Sequence, residues 1–138
     1  MNRYLKSRAL IAVILTVNLL GIIACSSTQK ATYVTLATTA NVVEAARKGY
    51  DDLYQAGKIS EATDAKVLVA YTKYQGAMNA ALGAFKAYKR IADAGGVPDP
   101  AVTNKLIDDL QPVITELFAL FTQSGVTTAQ SIVIEKVK

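Results

Sequence analysis

The side chains that could do chemistry are few. There is one cysteine, Cys25, and no histidine in 138 residues. Without histidine the commonest general base, the commonest metal ligand and the usual physiological pH switch are all missing, and neither a Ser-His-Asp nor a Cys-His arrangement can form. Two acidic pairs remain, Asp51-Asp52 and Asp108-Asp109. Neighbouring residues on a helix point about 100° apart, so neither pair converges on a shared proton or metal by itself, and both read as solvated surface. Lys86, Lys89 and Arg90 form a small basic cluster. It reads as a solvated helix face, with contact to anionic lipid head groups as the functional alternative. No Gly-rich phosphate loop and no metal-ligand spacing occurs, so no catalytic residue, cofactor or metal is expected.

Cys25 is the exception, because of what precedes it. Residues 1–8 carry Arg3, Lys6 and Arg8 with no acid, and residues 9–23 are apolar apart from Thr16 and Asn18. That core is short for a membrane span, which needs about 20 apolar residues, and suits a secretory signal. Ala24 supplies the small residue at a cleavage site, and polar Ser26, Ser27 and Thr28 follow the cysteine. The four residues Ile22-Ile23-Ala24-Cys25 resemble the lipobox of bacterial lipoproteins, with isoleucines where that pattern prefers Leu and then a small residue. The resemblance covers about the first 26 residues.

It implies cleavage between Ala24 and Cys25, a diacylglycerol thioether on the Cys25 sulfur, and a fatty acid such as palmitate on the new amino group. Two or more acyl chains give stable attachment, where one gives marginal binding. It also implies a membrane-anchored product, and Ser26 resembles the signal that sends such proteins to the periplasmic face of the outer membrane in a cell with two membranes. The competing reading is an uncleaved anchor helix with an incidental cysteine.

The charge balance follows the same division. The formal charge of +4 includes the three basic residues of the leader; residues 25–138 hold 12 Lys+Arg against 11 Asp+Glu. A near-neutral mature surface has no electrostatic footprint for nucleic acid.

Three helical patterns follow a short polar tether over residues 25–30. In the first, about 31–56, Tyr33, Leu36, Ala40, Val43, Tyr50 and Leu53 recur at helical spacing, with Gly49 a weak point and Gly57 the stop. The second opens at Ser60 as N-cap, with Glu61 and Asp64 in its first turn, and runs to Gly95-Gly96. Its seam of Val67, Tyr71, Tyr74, Met78, Ala81, Phe85, Tyr88 and Ala92 is of coiled-coil type. A second strip of small residues, Val69, Gly76, Ala80, Gly83 and Ala87, reads as the back of a central helix packed on both sides, or else as a face for another protein. The third opens at Asp99-Pro100 and carries Val102, Leu106, Leu110, Val113, Leu117 and Leu120 or Phe121 to Ser124-Gly125. Pro112 should kink or split it near Gln111.

These elements predict an all-α, up-down-up three-helix bundle of long amphipathic helices after a cleaved signal peptide. The chain divides into a leader at 1–24, a lipidated tether at 25–30, the bundle at 31–125 and a tail at 126–138. The tail forms a short helix or is disordered; Ile132-Val133-Ile134 would also suit a strand but has no evident partner.

The expected function is non-enzymatic: a lipid-anchored helical protein of the cell envelope working through a helical protein partner or self-association. The alternatives are a carrier or sensor of an apolar ligand, with Tyr71, Tyr74, Met78 and Phe85 lining a pocket, and a phage-type lipoprotein that protects the envelope.

Overall fold

The computed structural model describes the backbone of residues 3–127 and of Lys136, and the side chains of residues 29–127 and of Lys136. Three helices follow one another: α1 (Arg3–Gln55), α2 (Glu61–Asp93) and α3 (Ala101–Gln123). Short connections make them antiparallel neighbours, and α2 and α3 pack most closely. No strand occurs among the described residues.

The helix boundaries follow from local chemistry. Ser60 is extended (φ −76°, ψ 153°) and its hydroxyl accepts the Thr63 N–H at 3.2 Å, while Glu61 and Asp64 lie at the positive end of the dipole. All three helices end in the same way. Gly95 takes φ 79°, its N–H reaches Ala92 O and the Gly96 N–H reaches Ile91 O, both at 3.0 Å. Those two bonds are the Schellman motif, and the left-handed residue in it favours glycine. Gly57 and Gly125 stand at the equivalent place, with the corresponding pairs of bonds.

Helix α1 runs from Arg3 to Gln55 and passes through residues 25–30. The start of α3 follows the expectation: Pro100 is already in the αR region, at the first helical position, and the Asp99 carboxylate caps the helix by accepting the Ala101 N–H at 2.8 Å. Pro112 does not split α3. The carbonyl it leaves without a donor belongs to exposed Asp108, on the solvent side.

The core is one cluster built from a single heptad-like stripe on each helix. In α1 the buried residues are Thr32, Leu36, Thr39, Val43, Ala46 and Tyr50; in α2, Val67, Ala70, Tyr74, Met78, Ala81, Phe85 and Tyr88; in α3, Thr103, Ile107, Leu110, Ile114, Leu117 and Phe121. The α2 seam matches the expected one except at its flanks, where Tyr71 and Ala92 are half-buried and Ala70 is inside.

In α1 and α3 the stripe is rotated toward threonine. Thr32 and Thr103 are buried, whereas Tyr33 and Val102 are 55% and 62% exposed. Hydropathy ranks threonine below those neighbours, but a helical threonine can return its hydroxyl to its own backbone and bury its methyl. Thr39 does this, donating to Thr35 O at 2.8 Å.

The second strip of α2 is not packed. Val69, Gly76, Ala80, Gly83 and Ala87 are all exposed, and a Cβ built on Gly76 or Gly83 meets nothing within 4 Å. Among the described residues there are three helices and α2 meets both neighbours through one side, so the expectation of a central helix covered on both faces is not met there.

The tail begins against the core. Val126 is buried, and the Cβ of an alanine at Gly49 would lie 3.6 Å from its Cγ1. Residues 128–135, 137 and 138, including Ile132-Val133-Ile134, lie outside the described residues.

Candidate functional site

The acidic pairs separate as their sequence spacing predicts. Asp51 accepts from Arg47 Nε at 2.8 Å, while Asp52 is exposed. Asp108 pairs with Lys136 at 2.8 Å and Asp109 with Lys105 at 2.5 Å, so each carboxylate has its own cation. Among the described residues no group of three or more His, Cys, Asp or Glu could hold a metal ion.

Where α1 crosses α2, the tyrosines of the seam find polar partners. The Tyr50 hydroxyl donates to Asp64 at 3.1 Å and the Tyr71 hydroxyl to Glu44 at 2.5 Å. The Arg47 guanidinium lies between their rings, 5.0 Å from the centroid of Tyr71 and 5.7 Å from that of Tyr50. Its Nη1 is buried and has no hydrogen-bond partner. The charge is instead held by Asp51 on Nε and by two ring faces, a cation–π arrangement that guanidinium suits better than ammonium.

Burial, and then the hydrogen bond to Asp64, push the Tyr50 hydroxyl up to about 12. Burial and then Glu44 raise Tyr71, and burial raises Tyr74 further still. These phenols therefore stay protonated at neutral pH, and those of Tyr50 and Tyr71 serve as hydrogen-bond donors rather than bases.

The four residues expected to line an apolar pocket do not do so together. Tyr74 and Met78 are closed into the core and Tyr71 belongs to the Arg47 network. Only Phe85 reaches an opening, a cleft of about 430 Å³ between residues 29–33 of α1 and the last turns of α2. Tyr33 and Phe85, stacked with centroids 6.2 Å apart, form its apolar wall with Leu82. Lys30 and Gln29 stand on the α1 side, and Lys86, Lys89 and Asp93 on the α2 side. Lys89 is paired with Asp93, whereas Lys30 and Lys86 have no acidic partner among the described residues.

Two of the three basic residues singled out in sequence, Lys86 and Lys89, thus reach the cleft; Arg90 does not line it. Sequence patterning does not single out Lys30 or Tyr33 as site residues, because the polar stretch assigns one to the tether and the helical stripe assigns the other to the core. The readable signal was on α2, where 82, 85, 86 and 89 share one helix face.

Cys25 and Ala24 lie on α1, and their side chains are outside the described set. Cys25 is four residues before Gln29, about 6 Å along the helix axis. Among the described residues no helix is long and apolar enough to cross a membrane. No family model matches the chain, no curated protein matches it, and no solved structure matches it.

Proposed function

We propose that the chain is a bacterial lipoprotein, cut between Ala24 and Cys25 and held to a membrane by lipid on Cys25, whose bundle works by protein contact in the cell envelope rather than by catalysis. The observation that carries the reading is Ile22-Ile23-Ala24-Cys25, placed directly after a basic segment and an apolar core, in a chain with no other cysteine. In a source with two membranes, Ser26 directs it to the periplasmic face of the outer one. Three of the four paired acids, Asp51, Asp108 and Asp109, are engaged by separate cations and Asp52 is exposed; this, with the phenols held protonated, supports a role without covalent or acid–base chemistry.

The test is the intact mass of the full-length gene product extracted from its membrane, beside a Cys25→Ala variant. Residues 25–138 plus two or three acyl chains, lost in the variant, is the expected outcome. An unmodified full-length mass would make residues 9–23 a retained anchor and end the lipoprotein reading.

A further inference from the structure

We infer that the cleft between α1 and α2 is a seat for one anionic phospholipid of the membrane that holds the chain. This rests on the lipoprotein reading, which puts the cleft's end of the bundle at the bilayer. Three observations single out this occupant. The wall is apolar, with Tyr33, Leu82 and Phe85 offering a continuous surface. The rim is basic, lined by Lys30 from α1 and by Lys86 and Lys89 from α2, one of the three being neutralised by Asp93. An apolar wall under a cationic rim complements an acyl chain under a phosphate, and long lysine stems can cover the first while their ammonium groups hold the second. The third observation is place. Gln29 and Lys30 open the cleft one helical turn after Cys25, so a lipid in the same leaflet as the anchor can reach it without the bundle leaving the surface.

The volume of about 430 Å³ falls within the range of small-ligand sites and suits part of one lipid rather than a protein helix. Tyr33, 55% exposed on a helix whose other aromatic seam residue, Tyr50, is fully buried, becomes covered in the bound state.

The test is native mass spectrometry of the full chain, expressed in its membrane, extracted in mild detergent and given dioleoylphosphatidylglycerol or dioleoylphosphatidylcholine in equal amount. The chain is expected to keep one phosphatidylglycerol in preference to phosphatidylcholine. Lys30→Glu with Lys86→Glu should lower that retention by about tenfold or more. Lys58→Glu with Lys66→Glu, an equal charge change at exposed positions toward the other end of α2, should leave it unchanged.

Equal retention of the two lipids, no retained lipid, or the same loss in both double variants would overturn the inference. Circular dichroism confirms that each variant keeps its helices. Denaturing the same samples reads the covalent acyl mass separately. Loss of that mass with the adduct kept refutes the anchor and not the cleft; the reverse refutes the cleft and not the anchor.

Discussion

Removing one oxygen atom from Tyr50 isolates a single hydrogen bond in the seam and gives it a pH signature. Tyr50→Phe keeps the ring, which is fully buried and lies 5.7 Å from that of Phe121, and deletes only the donor to Asp64. Near pH 7 the variant should lose about 1–2 kcal/mol, the low side of a bond to a charged acceptor, because Asp64 is half-exposed and can rehydrate. The native hydroxyl titrates at about 12, against 10.0 for an unperturbed tyrosine. From about pH 10 to 12 the unfolded chain therefore binds fewer protons at this site than the native one, and stability falls as pH rises through that window. At pH 11 the loss comes to about 1.4 kcal/mol.

The Phe variant has no proton there to lose, while the lysines and the remaining tyrosines titrate alike in both chains and cancel. The deficit of the variant should thus shrink from about 1–2 kcal/mol near pH 7 to almost nothing near pH 11. Urea unfolding followed by far-ultraviolet circular dichroism, both proteins at both pH values, measures it. A deficit that is the same or larger at high pH would refute the reasoning that burial and Asp64 hold this proton.

Gly76→Ala and Gly83→Ala should each stabilise the chain by up to about 1 kcal/mol, seen as a higher urea midpoint, since both glycines are in a helix interior with open space where the Cβ would go. Gly95→Ala should do the opposite by about 1 kcal/mol, because φ 79° is left-handed; an unchanged midpoint would mean the turn had rebuilt itself without cost. Leu117→Ala should cost about 2–5 kcal/mol, since Leu117 is fully enclosed in the common core, and a loss below about 1 kcal/mol would show that the stripe on α3 is misplaced. Ser60→Ala should cost about 1 kcal/mol through the lost cap on Thr63, read from the same unfolding curves.

Helix number, order and stops were legible in the sequence because they depend on local chemistry. Ser60, Gly57, Gly95 and Gly125 each act within a few residues, and the α2 seam is rich enough in large apolar residues for its period to stand out. The rotation of the other two stripes was hidden by threonine: Thr32, Thr39 and Thr103 are core residues that a hydropathy pattern counts as surface. The state of the small-residue strip on α2 was not legible either. A strip of Gly and Ala has the same period whether a fourth helix covers it or water does, and only the number of helices decides.

For the site, the separation of the acidic pairs followed from helical geometry alone. The cleft did not, because Lys30 and Tyr33 meet Phe85 and Lys86 across a contact more than 50 residues apart in the chain, and single-helix periodicity carries no information about which turns of two helices stand level.

The buried face of α1 has a mechanical consequence. Its contribution to the core is Thr32, Leu36, Thr39, Val43, Ala46 and Tyr50, so the half nearer the N-terminus inserts one leucine between two hydroxyls, while the half nearer the turn carries Tyr50 and the Arg47 network. The hydroxyl of Thr39 is satisfied inside its own helix and loses nothing if α2 and α3 withdraw. A pull on the N-terminal end of α1 therefore meets weak resistance first and strong resistance later. Load would first reach Thr32, Leu36 and the Tyr33–Phe85 stack, and only later Tyr50 and Arg47. A molecule held to a surface at that end would have built-in strain relief, yielding at the attachment while α2 and α3, the closest-packed pair, keep their shape.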